Sequence, residues 1–451
     1  MKRFLFVVAA MLFAGNLMGQ NADGLTDNGK IQKYRRSSLY TVLITHSKQD
    51  QGTTIKRVFM SLPTPDKFNN HDLGIKAFES SVAKPKKKAS AKRDQTNLAD
   101  IEAFINKNDI ARKMIAKWFN RDANGNMDVD LLVERGMYSA QLNDIDEAQN
   151  SAYGIMSLGD QGEELIGKTF LLVNDITYAD KGEKSAKAAG ALRFFGALLG
   201  GVTGTNISDL TDMAADGINE IDGFGVNISS YLFRLDWNED MLNTLYATLW
   251  LDENVTDEAK RRERINAFDL SNIFKLTYVG STSTTKGFTA SKSFSKKSEE
   301  QQMAVACGRA LDESILNLQR EFDEFKVSVP IMSINQNART CEVAIGLKEG
   351  INEKSKFEVL MQIENEDGTI SYNRIGTIEP IAGKIWDNRY GALEIAEAYA
   401  ADGQKAKKEE GVADGNAYLK ATTFKITSGS DRIYPGCLVR EIKIQNTTKR
   451  K

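Results

Sequence analysis

The run Thr169-Phe170-Leu171-Leu172-Val173-Asn174-Asp175-Ile176-Thr177-Tyr178, with its counterpart from Phe224 to Asp236, decides how this chain is built. Both stretches are rich in β-branched and aromatic residues, which fit a pleated, packed surface, so they predict two strands of one sheet. A segment of small residues separates them, and no catalytic constellation lies on either. The remaining elements are expected to pack on this sheet or to extend it.

Upstream, Leu39 to Thr45 and Ile55 to Leu62 predict two further strands around a polar turn, Ser47 to Gly52. Lys84 to Arg93 is a basic cluster without interleaved aromatic residues for base stacking, and it reads as a solvated linker. From Leu98 to Phe119, apolar residues recur at Ile101, Phe104, Ile105, Ala111, Met114, Ile115, Trp118 and Phe119, a helical stripe with a break at Asn108-Asp109, residues that can cap a helix. Val129 to Glu134 predicts a strand, Arg135-Gly136 a turn, and Gln141 to Tyr153 a polar helix.

Downstream of the central runs, Met241 to Leu251 fits helix and strand spacing equally, Asp252 to Asn266 predicts a charged helix, and Ile273 to Val279 a strand. Gly280 to Lys297, rich in Ser, Thr and Lys, reads as a mobile loop. Glu299 to Phe325 is a patterned helix with Met303, Ala306, Ala310, Ile315, Leu318 and Phe322 free to dock on the sheet. The period changes at Val327. Strands are expected at Val327 to Ile334, Cys341 to Gly346, Lys356 to Ile363, Ile370 to Pro380, Lys384 to Arg389, Thr422 to Thr427 and Leu438 to Ile444, with Leu393 to Tyr418 as a helical or disordered insertion. The fold class is therefore α+β: an N-terminal α/β domain with a mixed sheet, then a small C-terminal SH3-like β-barrel with a helical insertion. The expected divisions are a signal peptide at 1–19, N-terminal strands and basic linker at 20–97, the α/β domain at 98–326 and the barrel at 327–451.

Lys2-Arg3, an apolar run from Phe4 to Phe13 and Leu17-Met18-Gly19 match a signal peptide cleaved near Gly19, which predicts an exported protein. No cysteine marks a lipid anchor at that point, and no later apolar run is long enough for a spanning helix. With 59 basic and 61 acidic residues the chain has no overall field to gather nucleic acid. Cys307, Cys341 and Cys437 permit at most one internal bridge; Cys341 and Cys437 lie in strand-like runs, and buried free thiols are the favoured reading.

Three motifs point toward ligands. Asn120 to Leu131 places oxygen side chains at alternate positions with Gly125 sixth, as a calcium loop does, but begins with Asn and ends with Leu131 where a bidentate Glu should close the shell. A turn using Asn and Gly accounts for the same residues. Gly162 to Thr169 fits Gly-x-x-x-x-Gly-Lys-Thr, yet the strand follows the motif instead of preceding it, and Glu163 and Glu164 would stand inside a phosphate cradle. The third is the small, apolar, glycine-rich segment 188–204, which fits a loop packed on its own domain or one touching lipid or a partner.

Val343-Ala344-Ile345-Gly346-Leu347-Lys348-Glu349-Gly350-Ile351, Lys356-Phe357-Glu358-Val359 and Arg374-Ile375-Gly376-Thr377-Ile378-Glu379-Pro380 resemble the SH3-like C-terminal module of the flagellar assembly protein T family. The element order over residues 98–322 is similar to the periplasmic α/β domain of the curli-production assembly family, and the signal ending Gly19-Gln20 resembles exported Bacteroidetes envelope proteins. These resemblances imply a periplasmic or outer-membrane-associated address and carry no functional residue with them.

The chain has only two histidines, His46 beside a predicted strand and His71 in a polar loop, and no metal-protease or serine-hydrolase motif. The expectation is a non-enzymatic envelope protein that scaffolds or assembles a larger structure, with no catalytic, cofactor or metal residues assigned. Its expected partner is another envelope protein, not nucleic acid, with peripheral outer-membrane contact and homo-oligomerisation left open. A secreted hydrolase using a carboxylate pair and a calcium-binding adhesion-type protein are the alternatives.

Overall fold

The computed structural model describes residues 37–47, 49–81, 90–139, 164–180, 223–289, 297–364, 370–401 and 416–442. The expected helix Gln141 to Tyr153 and the segment 188–204 lie outside them.

A mixed sheet organises the first unit. β1 (Ser37–Thr45) pairs in parallel with β2 (Phe68–Asn70), β3 (Ala77–Glu79) and β4 (Thr169–Asp180); β4 then pairs antiparallel with β5 (Gly223–Leu235), and β5 with β6 (Leu276–Thr289). β1 is buried along most of its length, as expected of a parallel strand covered on both faces. Alternation divides β4 between the faces: Phe170, Leu172 and Ile176 enter one core, Leu171 and Val173 the other.

The first core is closed by α1 (Gly52–Ser61) and the long α7 (Glu299–Glu321); the second by α2 (Ser90–Lys107), α3 (Ile110–Trp118) and α4 (Asp130–Ser139). Between them in the chain come α5 (Glu239–Thr244), which runs into a π-helical turn at Leu245–Leu249, and α6 (Glu258–Asp269). α7 begins with a capping box, Ser298 and Gln301 each satisfying the other's backbone N–H. Met303, Ala306, Ala310 and Leu318 dock on the sheet as their spacing predicts.

Several local expectations are overturned. Ile55 to Leu62 is helical: Ile55, Val58 and Phe59 are its buried residues, at positions i, i+3 and i+4, so one helical face buries all three where a strand would split them. Val129 to Glu134 belongs to α4, an apolar run too short for periodicity to separate strand from helix. Gly280 to Thr289 is not a loop but the continuation of β6, because Ser and Thr side chains pair across the ladder, Ser283 Oγ with Ser229 Oγ at 2.8 Å and Thr285 Oγ1 with Asn227 Oδ1 at 2.8 Å. The break at Asn108-Asp109 is real, but Asp109 does not cap with its side chain; it turns the chain at φ 51°.

The second unit is a closed antiparallel barrel of six strands, β7 (Val329–Asn335), β8 (Thr340–Val343), β9 (Phe357–Glu364), β10 (Ile370–Pro380), β11 (Thr422–Ser428) and β12 (Leu438–Glu441), in the order β10-β11-β8-β7-β12-β9. The expected strand Lys384 to Arg389 does not form. Its one ladder contact is a bridge from Trp386 to Gly346, and Thr422 Oγ1 takes the Trp386 N–H at 2.9 Å. The insertion contains α8 (Ala392–Ala401). Cys341 and Cys437 share the barrel core and are both free thiols, as is Cys307; burial pushes the Cys341 thiol up to about 12, so it is inert at neutral pH.

α7 also carries the joint between the units. A Cβ at Gly308 would stand 2.5 Å from the Tyr390 ring, and one at Gly391 2.6 Å from Val305, so helix and barrel segment touch at van der Waals distance. Arg309 Nε donates to the Tyr390 carbonyl at 3.0 Å. Beside them Lys348 Nζ reaches Asp66 Oδ1 at 2.7 Å, Lys67 Nζ reaches Glu349 Oε1 at 2.8 Å, and Asn388 Nδ2 donates to Glu349 Oε2 at 2.7 Å. Asp312 of α7 faces this cluster; burial pushes its carboxyl up to about 7, with Lys348 opposing and Glu349 and Asp66 reinforcing the shift.

Candidate functional site

In open α/β sheets ligands bind beyond the carboxyl ends of parallel strands, where neighbouring strands send their connections to opposite faces. β1 leads into α1 over the first core, and β3 leads toward α2 over the second. At that point a cleft of about 350 Å³ opens, lined by the end of β1 (Leu43 to Ser47), Gln49, the first turn of α1 (Gly52, Thr53, Ile55, Lys56), Glu79 of β3 and Ile176 of β4.

From His46 in its wall a buried polar chain runs into the core. His46 Nε2 lies 3.0 Å from Asp175 Oδ1. Asp175 Oδ2 accepts from Asn97 Nδ2 at 2.8 Å, and the same amide donates to Tyr231 Oη at 3.0 Å. His46 immediately follows β1 and the others come from β4, α2 and β5; the parallel register that sets Ile44 opposite Asp175 brings the histidine, two residues on, within reach. Asp175 is fully buried and His46 is 7% exposed, so the carboxylate holds the ring in place. On the opposite face of β4, Asn174 Oδ1 accepts from Ser230 Oγ at 2.6 Å. Toward solvent the Thr45 hydroxyl lies 2.7 Å from Glu79 Oε2, and Gln49 Nε2 donates to the Ile176 carbonyl at 2.7 Å. Glu79 is the only carboxylate among the described residues lining the cleft, so no carboxylate pair faces a substrate there.

His71 occupies a different setting at the other end of β1. Arg135 Nη1 donates to Ser38 Oγ at 2.7 Å and approaches His71 Nδ1 at 2.9 Å, Arg135 Nη2 donates to the Asn70 carbonyl at 3.1 Å, and the guanidinium stacks 4.4 Å from the Trp118 ring. His71 Nε2 meets the Met114 carbonyl at 3.0 Å, so its proton sits on Nε2 and Nδ1 accepts from the arginine. Burial and then the Arg135 charge hold its pKa well below the ordinary 6.5. This imidazole is a neutral structural group.

The motifs resolve in the same way. In the calcium-like loop, Asp122 accepts from the Asn124 and Asn126 N–H groups, each at 2.8 Å, and Asn126 Oδ1 accepts from Arg261 at 2.7 Å. Gly125 stands at φ 83°, and Leu131 lies in α4. Those oxygens build the turn. At the phosphate-loop-like motif, residues 164–166 form one helical turn and Thr169 opens β4, so the helix precedes the strand; the Thr169 hydroxyl accepts from Trp118 Nε1 at 2.8 Å.

Sequence reasoning did not join His46 to Asp175, which are 129 residues apart. One signal was present: Asn174-Asp175 interrupts the apolar run of a strand buried on both faces, and buried polar groups require partners. No protein-family model matches this chain, and no curated protein sequence does either.

Proposed function

We propose that the protein is a non-enzymatic component of the cell envelope, exported by the signal-like segment at 1–19 and acting as a scaffold or assembly factor for a periplasmic or outer-membrane-associated structure. The observation that carries this reading is the joint. One helix, α7, serves both as a wall of the sheet domain's core and as the seat of the barrel, and four charged residues of two units interlock beside it. Such a joint holds two surfaces at a fixed separation, which a scaffold requires. The cleft supports it from the other side, since the carboxylate beside His46 is inaccessible and the Thr45 hydroxyl is engaged by Glu79. Among the described residues no helix is long and apolar enough to cross a membrane.

The test is fractionation of cells expressing the full chain, with N-terminal sequencing and chemical cross-linking of intact envelopes. A mature start at Gln20 and a discrete cross-linked envelope protein are expected. An intact Met1 in the cytosolic fraction would overturn the address, and a solely monomeric species in the envelope would overturn the assembly role. A hydrolase reading has one observation in its favour, the His46–Asp175 pair at the cleft. It predicts a hydrolytic activity lost in His46→Ala.

A further inference from the structure

A second cavity, about 440 Å³, opens on the outer side of α3, away from the cleft at His46. Leu73, Lys113, Ala116, Lys117, Asn120 and Arg121 line it: three cations, one amide and no carboxylate. The cations recur every four residues, the spacing that stacks side chains along one helical ridge. Beyond the helix the chain closes on itself, with Asn120 at φ 44° and the Arg121 N–H donating to the Ala116 carbonyl at 2.8 Å, so Arg121 stays beside the same rim.

The rim is only partly neutralised by its surroundings. Arg135, behind it, is 4% exposed, with its guanidinium bonded to Ser38, His71 and the Asn70 carbonyl and the Glu134 carboxylate favouring its charge. Its charge reaches Lys117: burial, and then Arg135, lower the pKa of that ammonium, with Asp72 opposing. Five cations (Lys76, Lys113, Lys117, Arg121, Arg135) stand among five carboxylates (Asp72, Asp122, Asp128, Glu134, Asp269), of which Asp72 pairs with Lys76 at 3.3 Å and Asp269 with Arg121 at 3.2 Å, while none of the five lines the cavity. Lys113 is exposed and has no partner among the described residues, and Arg121 keeps a buried Nε that donates to no acceptor there.

We propose that this cleft binds a tetrahedral oxyanion of the phosphate or sulfate class. The Asn120 amide already donates to Asp128 and the Lys117 ammonium to the Asp72 carbonyl, which leaves Lys113 and the Arg121 Nε as the open donors; N–H donors on one side suit an acceptor with three or four equivalent oxygens, and a dianion gains more from a wall of cations without a carboxylate than a monoanion does. The apolar floor of Leu73 and Ala116 leaves room for the group that carries the anion. Free phosphate and a phosphorylated headgroup or sugar present the same chemistry.

The full chain is titrated with sodium phosphate and separately with acetate, chloride being exchanged to hold ionic strength constant, and binding is followed by calorimetry. Saturable phosphate binding is expected, with a preference over acetate of about tenfold. Lys113→Ala, which removes an exposed side chain with no hydrogen-bond or ion-pair partner among the described residues, weakens it by about fivefold, and Lys113→Ala/Lys117→Met abolishes it, with circular dichroism confirming that both variants stay folded. Vesicles containing phosphatidylglycerol, against phosphatidylcholine alone, separate the sources: retention on the anionic vesicles that phosphate displaces identifies a headgroup, and phosphate binding without retention identifies a soluble anion. Absence of phosphate binding above the chloride control, or equal binding by wild type, Lys113→Ala and Lys113→Glu, overturns the proposal.

Discussion

Replacing Asp312 by Asn isolates the electrostatics of the joint. In the folded protein this carboxyl titrates at about 7 instead of 3.8, chiefly because burial disfavours its charge. The folded state therefore binds the proton more tightly than the unfolded chain, and stability falls as pH rises from about 4 to about 7, where the folded group also ionises. The rise from 3.8 to about 7 sets a ceiling of roughly 4 kcal/mol. Asp312 is only partly buried and Lys348 can turn toward it, so about 1–3 kcal/mol is the expected effect. Asn resembles the neutral acid at every pH. Urea denaturation at pH 5, 6, 7 and 8, read by circular dichroism, should show Asp312→Asn gaining on wild type as pH rises and holding a constant advantage above pH 8. Hydrogen exchange should place the pH-dependent loosening of wild type at residues 346–350 and 388–396, ahead of β1 and β4. A stability difference that does not change between pH 5 and 8 would refute the reasoning.

Acid should act instead at His71. His71 is neutral when folded and charges at about 6.5 when unfolded, so stability declines as pH falls below about 6.5, and His71→Gln should flatten that part of the profile in thermal melts. Asp175→Ala strands His46 and Asn97 in the core and should cost about 3–5 kcal/mol by urea denaturation; a loss under 1 kcal/mol would show the network to be slack. Gly308→Leu forces the Tyr390 ring off α7 and should cost about 1–3 kcal/mol while increasing exchange in residues 388–396. The fragment Val327 to Lys451 encloses a core of its own and should melt cooperatively with β-type circular dichroism; an unfolded fragment would show that the barrel depends on α7.

How much of this was legible depends on whether local pattern or distant pairing decided the outcome. β4, β5 and α7 could be read because composition and period agreed over ten residues or more, and most barrel strands because turn residues bound their β-branched runs. Ile55 to Leu62 reads as a strand because Ile, Val and Phe favour strands locally, while the three positions that matter face one core. β6 beyond Val279 was misread for the opposite reason: Gly, Ser and Thr suggest a loop until β5 supplies the partner that makes each of them a ladder residue. The His46–Asp175 contact exists only through the register of β1 against β4, and no local window contains both.

That register also sets a schedule. β1 is finished by residue 45, but the strand that covers its long edge begins at residue 169, and the sheet gains its last described strand only at residue 289. Parallel pairing across such a separation must close a large loop before any ladder bond rewards it, which makes it intrinsically slow. During synthesis the central strand therefore waits, unpaired on that edge, while more than a hundred further residues are added. A chain held open in this way is at its most threadable, and at its most exposed to aggregation, at the same moment.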